Sequence, residues 1–96
     1  LLNTRIGISA KEQTGKVNAV VKLLIVDDEL DITRILKKGL ELLGAYSVDT
    51  FNDPLEALSN FDAGTYDMVI LDIRMPKMNG FELCRKITQK DAKTKV

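Results

Sequence analysis

Asp27, Asp28 and Asp72 carry the most distinctive chemistry this sequence offers. The first two close the apolar run Leu23-Leu24-Ile25-Val26, and Asp72 closes the run Met68-Val69-Ile70-Leu71. Neighbouring parallel strands lie only about 4.8 Å apart. If the two runs are such strands, their carboxyl ends open on the same side and the three carboxylates meet in one small pocket. Hard oxygen ligands gathered this way suit Mg²⁺ and can leave one carboxylate free to attack phosphorus. Each acid alone has a plainer use: Asp28 can cap a helix, Asp72 can form an Asx-turn, and Asp27 can sit solvated at the edge of a sheet. Together they stand where open α/β sheets bind ligands. Two like charges about 4 Å apart repel by roughly 4 kcal/mol at an effective dielectric of about 20. A chain that gathers three of them does more than cap helices, and a bound cation would offset the repulsion.

The elements around these acids alternate. Leu23 to Val26 has the length and continuous apolarity of a strand buried on both faces. A helix is expected from Leu30 to about Leu43, with Ile32, Ile35, Leu36, Leu40 and Leu43 forming one stripe toward a core. Asp28 is placed to cap it, and Gly44 stands where a left-handed C-terminal residue is wanted. Tyr46 to Phe51 reads as a second strand. Asp53-Pro54 then supplies an N-cap and a first-turn proline for a helix carrying Leu55, Leu58 and Phe61 and stopping near Gly64. Asp67 to Leu71 is a third strand, and Asp72 to Asn79 a loop. Gly80 to about Gln89 is a third helix, with Leu83, Cys84 and Ile87 toward the core. Lys95-Val96 can begin a fourth strand. The order β-α-β-α-β-α calls for a parallel sheet with right-handed crossovers. Residues 1–21 are mostly polar and read as an N-terminal tail or linker, with a marginal strand at Arg5 to Ser9.

Composition narrows the function classes. The 96 residues hold one domain at most, and 45% hydrophobic with 29% charged residues is ordinary for a globular protein. Fourteen basic residues balance fourteen acidic ones, so charge gives this segment no pull toward nucleic acid or an anionic membrane. There is no histidine, which removes imidazole zinc sites, Ser-His-Asp and Cys-His catalysis, and a phosphohistidine on this chain. Carboxylates are then the nucleophiles left to handle phosphate. No apolar stretch approaches the roughly 20 residues of a membrane helix, and the N-terminus has no signal-peptide pattern. Cys84, the single cysteine, forms no internal disulfide and fits a reducing cytoplasm, the expected location.

Two stretches make a specific match. Leu24-Ile-Val-Asp-Asp-Glu29 and Val69-Ile-Leu-Asp-Ile-Arg-Met-Pro-Lys-Met-Asn-Gly80 resemble the receiver domain of two-component response regulators. The second follows the family's phosphoacceptor signature, acid-x-x-Met-Pro-x-Met-(Asp/Asn)-Gly, at every defined position. The resemblance implies a flavodoxin-like, doubly wound parallel sheet, incomplete here, with residues 22–96 as a partial receiver domain. It implies that Asp72 is phosphorylated by a sensor histidine kinase or a phosphotransfer protein. It further implies that Asp28 ligates Mg²⁺ directly, that Asp27 helps through a water, and that Asp72 and the backbone carbonyl of Arg74 complete the protein ligands. Met75 and Met78 are expected to anchor the loop in the core, Pro76 to stiffen it, and Gly80 to admit the turn into the helix without a Cβ clash. The implied role is signalling rather than enzymatic turnover.

The family pattern has five β-α units, and this chain ends as the fourth would begin. The hydroxyl residue expected after strand four and the lysine expected after strand five lie beyond Val96, and roughly 45 residues would be needed for two further units. The chain also begins with Leu1 rather than Met, so either missing upstream sequence or a different gene start is expected. Two rivals use similar features. Phosphatases and phosphotransferases with an aspartate nucleophile want a second acid two residues on, where this chain has Arg74. Phosphorylation-independent interaction modules of the same fold tend to lose one of the acids, whereas all three are present. Because an open sheet lacking two strands leaves one side of strand three without its partner, residues 1–96 alone are expected to be poorly stable or aggregation-prone. A sharp, cooperative thermal transition in the isolated monomer would show otherwise.

Overall fold

The computed structural model describes residues 20–96; the tail and its marginal Arg5–Ser9 strand lie almost wholly outside them. Six elements alternate along the described chain: β1 (Val21–Val26), α1 (Leu30–Leu42), β2 (Tyr46–Phe51), α2 (Pro54–Asn60), β3 (Met68–Leu71) and α3 (Gly80–Lys90). The three strands are parallel in the order β2-β1-β3. The path moves one way from β1 to β2 and back across β1 to reach β3. Right-handed crossovers then send α1 and α2 to opposite faces. This is the expected flavodoxin-like sheet, and β1 begins at Val21, two residues earlier than its apolar run.

Alternation along the central strand builds two cores, because successive side chains of a strand point to opposite faces. Leu24 and Val26 join Val69 and Leu71 against Ala57 and Phe61 of the α2 region and Leu83 and Ile87 of α3. On the other face Val21, Leu23 and Ile25 join Val48 and Met68, with Leu40 of α1 packed against them. A β1 buried on both faces explains why its run is unbroken by polar residues. Asp53 caps α2 by accepting from the Leu55 N–H at 2.9 Å, with Pro54 in the first turn, as the sequence predicts. Gly44 takes a φ of 83°, the left-handed conformation expected after α1.

Two expectations for α1 are corrected. Its N-cap is Glu29, not Asp28, and no side chain caps it. Among the described residues its apolar stripe is covered only in part: Leu40 packs on the core, whereas Ile35 is 68% exposed and Leu43 69%, and Thr33 is buried. The helix meets β2 through Lys37 and Glu41, with Thr33 and Leu40 inward, and Ile32, Ile35, Leu36 and Leu43 lie outside the cores that the three described strands build.

Both margins of the sheet have partners. Beyond β3, the Val69 N–H donates to the Lys95 carbonyl at 2.6 Å and Met68 forms an isolated parallel bridge with Lys95, at the position where the sequence places the start of a fourth strand. The edge strand β2 is met by an ion pair. Lys37 Nζ donates to the Val48 carbonyl at 2.5 Å, the Val48 N–H donates to Glu41 Oε2 at 3.0 Å, and the two side chains lie 3.5 Å apart. One residue's outward backbone groups are thus occupied, and an open edge is where strands of other chains add. Replacing Lys37 and Glu41 together by alanine, in the natural polypeptide that carries this chain, should lower stability by about 1 kcal/mol. It should also produce concentration-dependent association in sedimentation velocity, and a double variant that stays monomeric with unchanged unfolding would remove the sealing role.

Candidate functional site

Register assembles the site. Val26 pairs with Phe51 on one side and with Leu71 on the other. The residues that follow, Asp27, Asn52 and Asp72, therefore leave the sheet at one level. The last rungs hold them there: the Asp27 N–H donates to the Phe51 carbonyl at 3.1 Å and the Asp72 N–H to the Val26 carbonyl at 2.9 Å. Carboxylate oxygens of Asp27, Asp28 and Asp72 lie within 4.8 Å of one another. The sequence-predicted trio meets in space, with Asp27 and Asp72 half-buried and Asp28 exposed.

Backbone donors hold two of these acids. Asp27 Oδ1 accepts from the Glu29 N–H at 2.9 Å, and Asp72 Oδ1 from the Arg74 N–H at 3.2 Å. Each aspartate thus folds its own loop back on itself and fixes its rotamer. Burial pushes the Asp27 carboxyl above its ordinary range, and the charges of Asp72 and Asp28 add to the push, against the Glu29 N–H, which lowers it. A raised carboxyl means that the folded state takes up a proton more readily than the unfolded chain. Asp27 therefore costs stability above its folded pKa, and that cost is relieved as pH falls through it.

The loop after Asp72 is braced from below. Met75 and Met78 are buried in the core shared with α2 and α3, and Pro76 is exposed between them. Gly80 is required by approach, not by φ. A Cβ there would stand 2.3 Å from the Asp72 carbonyl oxygen and 2.9 Å from Ile73 Cα, while its N–H donates to the Ile73 carbonyl at 2.9 Å. The start of α3 is thereby pressed against the end of β3. Asn79 caps α3 by accepting from the Glu82 N–H at 2.9 Å. Arg74 is exposed, with Ile73, Met75 and Phe81 beside it in a shallow groove.

Two residues at this end of the sheet escaped the sequence reading. Asn52 Nδ2 donates to the Asp27 carbonyl at 2.8 Å and to Thr33 Oγ1 at 3.0 Å, steadying the acid pair from β2. Its signal was its place, since it directly follows the strand that pairs with β1. Lys77 has a φ of 72° and gave no signal, because lysine does not advertise a left-handed conformation as glycine or asparagine does. Its ammonium donates to Asp53 Oδ2 at 2.9 Å. That contact raises the Lys77 pKa and is the main reason the Asp53 carboxyl is lowered.

The described chain is an open parallel sheet with three acids gathered at the carboxyl ends of adjacent strands. The sequence model of the response regulator receiver domain matches residues 23–96, and the chain belongs to that family. It is 46% identical over 66 residues to the transcriptional regulatory protein CpxR homolog of Haemophilus influenzae, covering 69% of this chain and 28% of that one. It is 35% identical over 92 residues to the transcriptional regulatory protein TcrA of Mycobacterium tuberculosis, covering 96% of this chain and 36% of the other. The chain thus spans only about a third or less of these curated relatives. Among solved structures, the response regulator protein TrrA of Thermotoga maritima in complex with Mg(2+)-BeF superposes with a TM-score of 0.71 at 41% identity, covering 78% of this chain and 64% of that one. A structure of the histidine kinase ThkA in complex with TrrA gives a TM-score of 0.70 at 41% identity, with the same coverage.

Crowding of the three acids has a measurable cost. With no side-chain cap to lose, Asp28→Asn should stabilise the metal-free natural polypeptide by a few tenths to about 1 kcal/mol at low salt, and by less at high salt. It should also move the Asp27 titration, followed by NMR, down toward the ordinary carboxylate range. A lower melting temperature with Asp27 unmoved would show that the three charges do not act on one another.

Proposed function

We propose that the chain is the phosphoacceptor module of a two-component phosphorelay, working in the cytoplasm and taking a phosphoryl group onto Asp72 from a sensor histidine kinase or a phosphotransfer protein. The observation that carries this is the convergence of three carboxylates within 4.8 Å at the ends of β1 and β3. In the transfer, a carboxylate oxygen of Asp72 forms the new O–P bond as the N–P bond to the donor's imidazole breaks, and the imidazole leaves with the bonding pair and takes a proton. Asp72 suits the part. It ends a buried strand, its Oδ1 is held by the Arg74 N–H, and its other oxygen is left for attack.

The donor set fits Mg²⁺, being oxygen only and carrying a net charge that a divalent cation offsets. Asp27, Asp28, Asp72 and the backbone carbonyl of Arg74 would hold it. Bound there, the ion supplies positive charge to the phosphoryl oxygens and to the attacking carboxylate. The raised proton affinity of Asp27 supports this assignment, since a site that resists ionisation in the absence of metal is relieved by a cation. The similar TrrA has been solved in complex with the same metal and BeF, and in complex with the histidine kinase ThkA. Among the described residues no helix is long and apolar enough to cross a membrane. Arg74 stands where a phosphatase of the aspartate-nucleophile class would carry its general acid, which favours a stored phosphoryl group over turnover.

Incubating the natural polypeptide with a small acyl phosphate and Mg²⁺ should add one phosphoryl group, labile to hydroxylamine, and Asp72→Asn should abolish the labelling. Mg²⁺ should raise the stability of the unmutated protein by roughly 1–3 kcal/mol at saturation, with a smaller gain in Asp28→Asn. Labelling that persists in Asp72→Asn would sink the assignment of the acceptor.

A further inference from the structure

The loop that carries the acceptor holds a backbone conformation that its own sequence disfavours. Lys77, with a φ of 72°, is the positive-φ residue other than glycine among the described residues. The Met78 N–H donates to the Pro76 carbonyl at 2.8 Å. This closes a γ-turn on Lys77 of the rare, strained kind with positive φ. A side chain bearing a Cβ resists this turn, and such strain persists only where the surroundings hold it. Met75 and Met78 pin the flanks in the core. The apex has no apolar anchor, because Lys77 is exposed, and its side chain reaches across to Asp53 instead.

Asp53 is already committed at its other oxygen, where Oδ1 accepts from the Leu55 N–H as the cap of α2. Its carboxylate is therefore a fixed post rather than a mobile counter-ion. The preceding residue, Asn52, grips the Asp27 carbonyl and Thr33 Oγ1. Thr33 is buried, and its hydroxyl donates to the Leu30 carbonyl at 2.9 Å. Two consecutive residues after β2 thus reach both halves of the site from outside. Asn52 holds the turn that carries the acid pair, and Asp53 holds the apex of the loop that carries Arg74.

We propose that the Lys77–Asp53 ion pair is a positioning tie for the acceptor loop, clamping its strained apex to the cap of α2 and so keeping the Arg74 backbone in place beside the three carboxylates. Lys77 and Asp53 are positioning residues and touch no reacting atom. The effect on metal binding rests on the function proposed above; the clamping of the loop does not.

Asparagine separates the tie from its alternatives, because it accepts positive φ at position 77 and still caps a helix at position 53. Lys77→Asn, Asp53→Asn and the double variant would be compared with the unmutated natural polypeptide by amide hydrogen exchange without metal and by titration with Mg²⁺ alone. A tie predicts that each single variant speeds exchange at the Met78 and Gly80 amides by about two- to fivefold, the range of an exposed ion pair. It also predicts that each weakens Mg²⁺ binding by a similar factor and that the double variant is no worse than either single one. A pair acting only through its charges predicts opposite signs, with Lys77→Asn tightening the cation and Asp53→Asn loosening it; that pattern, or unchanged exchange in both single variants, overturns the proposal. If the unmutated protein bound no Mg²⁺, the metal assignment would fall while the exchange data still decided the tie.

Discussion

Everything at the site follows from the in-register pairing of β1 with both of its neighbours. Val26 is matched at once to Phe51 and Leu71, so the chain leaves three strands at the same height. A slip of one residue in either pairing would move one loop along the sheet and send that strand's apolar side chains to the opposite face. The two cores prevent such a slip. Leu24 and Val26 belong to one, Leu23 and Ile25 to the other, and neither set tolerates exchange with a half-polar neighbour strand. Packing on both faces of β1 thereby determines the distance between Asp27 and Asp72, although neither acid takes part in the packing.

That precision is directed against electrostatics. Three carboxylates are brought together where one is already pushed toward its protonated form, and the rest of the local structure keeps them from moving apart. Backbone N–H groups of Glu29 and Arg74 hold the side chains. Asn52 holds the Asp27 backbone, and the close contact of Gly80 with the Asp72 carbonyl holds the end of β3 against α3. Such an arrangement gives up stability to keep the three carboxylates in place, a compromise that the proposed cation site would require. Hydrogen bonds and close backbone contacts suit this task because they constrain position without adding further charge to the pocket.

The outer surfaces follow a different logic. At β2 a lysine and a glutamate one helical turn apart occupy the backbone of Val48, so residues that look like an ordinary solvated i,i+4 pair also cover one residue of a sheet edge. Asp91 works similarly far from the acids, accepting from the Gly64 and Lys93 N–H groups and from Thr94 Oγ1, and these donors hold its carboxyl below its ordinary range. It joins the turn before β3 to the turn that leads Lys95 onto β3's margin.

By itself the sequence determined the order of the elements, the parallel sheet, the cap and proline of α2, the glycine after α1, the glycine at the start of α3 and the identity of the three acids. These rest on local chemistry: unbroken apolar runs, residues with special backbone freedom, and acids at strand ends. Tertiary structure alone decided the rest. Periodicity places Ile32, Ile35, Leu36, Leu40 and Leu43 on one side of α1, but which of them the described strands cover is decided by tertiary packing: Leu40 lies on the core and the others stay exposed. Asp28 looks like a cap in the sequence, yet the turn that Asp27 forms with the Glu29 N–H passes the capping position to Glu29. The left-handed Lys77 and its reach to Asp53 are equally illegible, because they join residues 24 positions apart and only the adjacency of the loops after β2 and β3, across the end of β1, brings them together.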